Sequence, residues 1–179
     1  MNAKKRILVF FIFMGLFSLA FQIGAMSEVS EEDALEFMKE FEELIEDIDG
    51  VGIFLHNNTI SLPMFIPGFG IAWGFYSALS TGYAFAAIVL IAPAALSNIP
   101  PLALLYASPF GFMELVAYSI ATSRSFILIH IIIKKINLRT AIRGTAIEVG
   151  IVVGLLLAGG ILEFYMIELA KSGVDFGVF

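Results

Sequence analysis

"VGIFLHNNTISLPMFIPGFGIAWGFYSALSTGYAFAAIVLIA", residues 51 to 92, contains no Lys, Arg, Asp or Glu, and the charge-free run extends from Gly50 to Met113. A run of about 60 residues is long enough for two to three bilayer crossings at ~20 residues each. The rest of the chain agrees: of 179 residues, 59% are apolar and the mean hydropathy is +0.94, well above the roughly half-apolar makeup of a soluble domain. The expected class is an integral membrane protein, all-α, with the lipid bilayer as its first partner. Cysteine is absent, which excludes disulfides, thiolate metal sites and cysteine nucleophiles.

Within the run, "HNNTISLPMFIPGFG" (56 to 70) places a histidine, two asparagines, two prolines and two glycines in an apolar setting. Pro63 shortens or bends a helix over 51 to 66, and Pro67 with Gly68 and Gly70 separates it from the next apolar segment. Residues 70 to 92 and 109 to 133 are each long enough to cross, and the second ends at Lys134 and Lys135. Between them "PAALSNIPPLALLYASP" reads as a loop or a partly inserted helix. "AIRGTAIEVGIVVGLLLAGGILEFYMIEL" (141 to 169) makes the last crossing.

Residues 7 to 26, after "MNAKKR", read as a retained span or a signal peptide; their apolar length exceeds the usual 7 to 15 residues of a signal core, so a retained anchor over 1 to 27 is expected. Next, "SEVSEEDALEFMKEFEELIEDIDG" predicts a helix within 28 to 50, with Ser30 as N-cap, Asp33 in a capping-box position and Gly50 as the stop. Ala34, Phe37, Met38, Phe41, Leu44, Ile45 and Ile48 form one apolar stripe opposite a carboxylate face. Anionic lipid would repel such a helix, so the stripe is expected to meet protein: the membrane bundle of its own chain, or a second copy or another membrane protein through 30 to 49.

The net charge of −6 hides a polarity. Acids gather between Glu28 and Asp49, whereas bases gather at Lys4 to Arg6 and Lys134 to Arg143. By the positive-inside rule the N-terminus and the 134 to 143 loop are cytoplasmic, while the acidic helix and the C-terminus lie outside. An odd number of crossings must then separate the acidic helix from that loop. The expected fold class is a polytopic transmembrane helix bundle over 51 to 179, about five spans in all with one short or broken, joined to an extracytoplasmic amphipathic helix; one crossing plus re-entrant pieces is the alternative. No basic patch interleaved with aromatics points to nucleic acid.

Small residues mark where helices would meet in lipid. Gly70, Gly74, Ala78, Gly82 and Ala86 recur every fourth residue, as do Ala146, Gly150, Gly154 and Ala158. Both ridges are expected to pack within the chain, with dimerisation through "GIVVG" as the alternative. Gly68 and Gly70 serve the turn.

Charges at membrane depth are costly and become candidate sites. Arg124 precedes Lys134 by ten residues and Glu148 follows Arg139 by nine, so both lie ~15 Å inside the basic end and are expected to pair. Glu114 and Glu163 each lie twenty residues from that end, ~30 Å up, level with His56, Asn57 and Asn58. Carboxylates, imidazole and amides in one layer suit acid–base work or a cation, or simply cap helix ends. His130 is expected to be hydrogen-bonded or to snorkel. No HExxH or GxSxG occurs, so neither a catalytic residue nor a metal or other cofactor is assigned, and a hydrolase built on Glu114, Glu163 and His56 is a minor alternative.

The order of "FLHNN", "PGFG", "TG" at Thr81 and Gly82, "SPFGFMEL" (108 to 115) and "AGGILEFY" (158 to 165) resembles the stage II sporulation protein M family of membrane proteins. The resemblance spans about residues 50 to 165 and carries over Asn57, Asn58, Gly68, Gly70, Gly82, Pro109, Gly111, Glu114 and Glu163. Phe110 stands where the family has histidine, and Thr81 where it has asparagine. The resemblance implies a non-enzymatic membrane protein; the bacterial namesake works in a membrane complex with peptidoglycan-remodelling partners. The expected function is therefore a scaffold or subunit of a membrane complex, and the alternative is a small-solute or ion channel or transporter.

Overall fold

The computed structural model describes residues 3 to 45, 48 to 91 and 99 to 172, and the described residues fold entirely as helices and connecting turns. In chain order they are α1 (Ala3–Ala25), α2 (Glu31–Ile45), α3 (Gly50–Ser61) with a 3₁₀ extension (Leu62–Phe65), α4 (Phe69–Ile91), α5 (Pro101–Tyr106), α6 (Pro109–Ile133) and α7 (Arg139–Lys171). Four of them, α1, α4, α6 and α7, are long and apolar enough to cross a membrane. That is compatible with a multi-pass membrane protein.

Local chemistry sets the helix starts. Ser30 Oγ accepts from the Asp33 amide at 3.1 Å and donates to the Asp33 carboxylate at 2.7 Å, a capping box that opens α2. Asp49 caps α3 by accepting from the Gly52 amide at 2.7 Å. Gly50 is thus the first residue of α3, not the stop of the acidic helix. It is glycine for a packing reason, because its Cα faces Ile161 and Gly160 of α7. Ser108 caps α6 from the Gly111 amide at 2.9 Å, with Pro109 in the first turn. The end of α6 closes through Lys135, whose φ of 53° is left-handed, so that the Ile136 amide reaches back to the Ile131 carbonyl at 3.0 Å.

The stretch around Pro63 resolves as a change of helix type. α3 ends at Ser61 and tightens into the 3₁₀ turn containing Pro63. Ile66 is extended, as a residue before proline prefers, and Gly68 at φ 79° turns the chain into α4. Gly50 touches α7 at Ile161 and Gly68 touches α6 at Ile129. The segment therefore runs ~26 Å, about 18 Å of α-helix and about 8 Å of 3₁₀.

α6 lies at the centre, against α1, α4, α5, α7 and the 3₁₀ turn. Its buried face is built of Leu115, Ala117, Ala121 and a polar series of Ser119, Thr122, Ser123 and Ser125. The hydroxyls of Ser119, Thr122 and Ser123 donate to carbonyls one turn back, at 2.6, 2.7 and 2.5 Å. Each hydroxyl proton is satisfied within α6 itself, so neighbours can approach closely. Ser125 Oγ instead donates to the Ile66 carbonyl at 2.6 Å, which also accepts from the Gly70 amide at 2.8 Å.

The α4 ridge packs as expected. Gly74 lies on Thr122 of α6, and Gly82 lies on the backbone of α1 at Phe21. The contact with α1 is reciprocal, since Gly24 lies on the α4 backbone at Leu79. The two helices run side by side in the same direction, with Phe13 stacked on Phe75 at 6.1 Å and Phe21 against Phe85 at 6.4 Å. α1 is therefore an integral part of the core, with Phe17 and Phe21 almost fully buried.

The second ridge does not pack. Gly150 and Gly154 face open space, and Ala146 and Ala158 are exposed. The buried side of α7 runs through Val152, Leu156, Gly159 and Gly160. Gly160 sits against the backbone of Gly50 and Phe54 in α3. At 100° per residue, Gly150 and Gly154 fall on the far side of α7. Gly82→Leu should then lower stability by about 2–3 kcal/mol through collision with the Phe21 carbonyl. Gly150→Leu should leave it within ~0.5 kcal/mol. Thermal unfolding in detergent compares the two.

Candidate functional site

Two polar layers cross the bundle. In the first, Glu148 of α7 receives two arginines: Arg124 Nε donates to Oε2 at 2.6 Å while its terminal nitrogen donates to Oε1, a two-pronged pair. Arg6 of α1 donates from Nε to Oε1 at 2.6 Å, and its other nitrogens reach Ser123 Oγ at 3.0 Å and the Ile120 carbonyl at 3.3 Å. Gly144, one turn before Glu148, makes room for the Arg124 guanidinium; a Cβ there would lie 3.4 Å from it. The pairing of Arg124 with Glu148 was legible from depth along the helices. The part of Arg6 was not, because its position at the start of a span reads as a topological anchor. The signal was its side-chain length, which carries a guanidinium up the helix from a backbone position near the end.

The second layer joins α3, α6 and α7. Asn57, buried on α3, donates from Nδ2 to Oε1 of Glu114 on α6 at 2.5 Å. Glu163 of α7 lies within electrostatic reach of Glu114. Tyr118, one turn along α6 from Glu114, is buried within the field of both. Asn58 adds a buried carbonyl oxygen, Oδ1, without a hydrogen-bond partner among the described residues. His56 does not join: it is exposed, and its ring makes no hydrogen bond or ion pair with a described residue. Successive residues on a helix point 100° apart, so a histidine beside a buried Asn57 faces outward. His130 is likewise exposed and lies against Phe126 at 6.4 Å. Among the described residues no group of three or more His, Asp or Glu side chains could hold a metal ion.

The turn and packing glycines line the same frame. Gly68 and Gly70 shape the corner after the 3₁₀ turn, and Gly111 lies against the Leu104 carbonyl where α5 meets α6.

The fold and the two layers define a class: an all-helical bundle, compatible with a multi-pass membrane protein, with an arginine-clamped carboxylate in one layer and an amide-bound carboxylate pair in the other. Comparison with protein-family models, with curated proteins and with solved structures finds no match.

Truncating Glu148 leaves two arginines facing each other, whereas Arg6→Gln removes one of two donors and keeps the Arg124 pair. Glu148→Ala should cost about 3–5 kcal/mol, and Arg6→Gln about 1–3 kcal/mol. Chemical unfolding in micelles gives both values. In the other layer, Asn57→Ala should cost about 2 kcal/mol in the parent chain and much less once Glu114 is Ala, since the acceptor of its hydrogen bond is then gone. A double-mutant cycle on the same unfolding signal measures that coupling.

Proposed function

We propose that this chain is a non-enzymatic multi-pass protein of the cell membrane, a scaffold or subunit of a membrane complex resembling the stage II sporulation protein M family. In this reading it crosses five times, through α1, α3 with its 3₁₀ turn, α4, α6 and α7. The N-terminus is cytoplasmic, and α2 and the C-terminus are outside. The length of the α3 segment, from beside Ile161 to beside Ile129, supports counting it as a crossing. The bases at Lys4 to Arg6 and Lys134 to Arg143 support the orientation.

The observation that carries the scaffold reading is the disposition of α2. Its apolar side is used within the chain: Ala34 is fully buried, Phe37 stacks on Phe41 at 5.9 Å, and the helix rests on α4. Its other side presents Glu31, Glu32, Glu36, Glu40 and Glu43, all exposed and none in an ion pair with a described residue. A partner, whether a second copy or another membrane protein, would meet this helix through charge and would bring a basic surface. The packed serine and threonine face of α6 supports a bundle that holds a shape more than one that lines a path.

A second reading, a small-solute or ion transporter, is favoured by the Glu114, Glu163 and Asn57 layer, since buried carboxylates in a bundle interior commonly mark ion pathways. The two readings separate experimentally. Glu36→Lys with Glu40→Lys and Glu43→Lys should reduce in-membrane cross-linking to partners about tenfold and leave thermal stability unchanged. Association that survives this triple change, together with liposome flux that is lost in Glu114→Gln, would reverse the order of the two.

A further inference from the structure

Near the basic end of the bundle, α6, α7 and the Pro67 turn enclose an open groove of about 490 Å³. Its walls are apolar, formed by Pro67, Leu128, Ala141, Val149 and their neighbours on α7. The one hydroxyl among them, Thr145 Oγ1, is buried and has no hydrogen-bond partner among the described residues. On α7 the groove follows positions 141 to 149, a length of roughly 12 Å.

Four cations belong to the same end of the bundle. Lys134 and Lys135 lie in the turn between α6 and α7, and Arg139 and Arg143 of α7 follow the groove residues Leu138 and Ile142 by one position each. All four are exposed, and none pairs with a described carboxylate. No Asp or Glu occurs from residue 134 to 147, so the surplus is not cancelled along the chain. An apolar channel at the end of the bundle that carries these cations is complementary to one kind of occupant: a molecule with a long apolar tail and a negative head.

We propose that this groove is a seat for an anionic phospholipid, with one acyl chain lying along α7 past Ala141 to Val149 and the phosphate held by Arg139, Arg143 and the lysines of the turn. Basic pockets between helices bind anionic headgroups in this way. The acyl chain in the groove distinguishes a seat from general attraction to a negative surface. A second copy of the chain is a poorer occupant, since it would bring its own four cations to the same rim.

The full chain in detergent micelles, mixed with equimolar phosphatidylglycerol and phosphatidylcholine of identical acyl chains, should retain the anionic lipid about fivefold more by native mass spectrometry. Arg139→Gln with Arg143→Gln should bring the two lipids to near equality, whereas Lys171→Gln, at the other end of α7, should change nothing. Ala146 is exposed on the groove wall, so Ala146→Phe should fill the groove without unfolding the bundle and reduce retention of both lipids about fivefold. Equal retention of the two lipids by the parent chain, retention of the anionic lipid undiminished in Ala146→Phe, or a lipid-free dimer in place of the adduct would each overturn the proposal. Headgroup preference is read in micelles, so the result does not depend on the orientation or the scaffold role proposed above.

Discussion

Glu148 accepts hydrogen bonds from two arginines that reach it from distant parts of the chain, Arg6 near its start and Arg124 in α6. Taking these groups from water is costly, and removing either sign alone leaves a charge without its counterpart. The cluster therefore acts as a locator. α7 must turn Glu148 inward, α6 must turn Arg124 toward it, and α1 must stand where the Arg6 guanidinium can reach both Glu148 and Ser123. With those three helices located, Val152, Leu156, Gly159 and Gly160 are the residues of α7 that face the bundle, and Gly160 receives the backbone of α3.

The rest of the packing depends on closeness more than on bulk. In an apolar surrounding, helices gain little by hiding hydrocarbon from one another, and the close approach of backbones and small side chains supplies the attraction. Gly24 and Gly82 bring α1 and α4 together, Gly74 brings α4 onto Thr122, and Gly50 and Gly160 bring α3 onto α7. Hydroxyls on α6 suit the same requirement, because a serine bonded to its own helix is small and satisfied. This frame holds Asn57 against Glu114 and sets Glu163 nearby, which makes the carboxylate layer a property of the whole bundle.

The anionic helix and the basic loop give the molecule two chemically opposite ends. α2 buries Ala34 and rests on α4, and it leaves carboxylates outward. The loop between α6 and α7 and the first turns of α7 carry four exposed cations at the end of the bundle that holds the apolar groove. The proposed scaffold role draws on the first surface and the proposed lipid seat on the second.

Composition and spacing alone determined the class of structure, the extents of α4 and α6 to within a residue, the capping box at Ser30, the break at Pro63 to Gly68 and the pairing of Arg124 with Glu148. All of these are local or depend on distance along one helix, which a fixed rise per residue makes calculable. Tertiary structure decided which side of each helix is inside. A period of four small residues looks the same on either face, so Gly150 and Gly154 could not be told from Gly82 until the helices were placed. For the same reason His56 left the layer that Asn57 joined, and Arg6 entered a cluster that no pattern of spacing within its own helix could announce. Helical periodicity encodes a stripe, but the stripe acquires a direction only when another helix meets it.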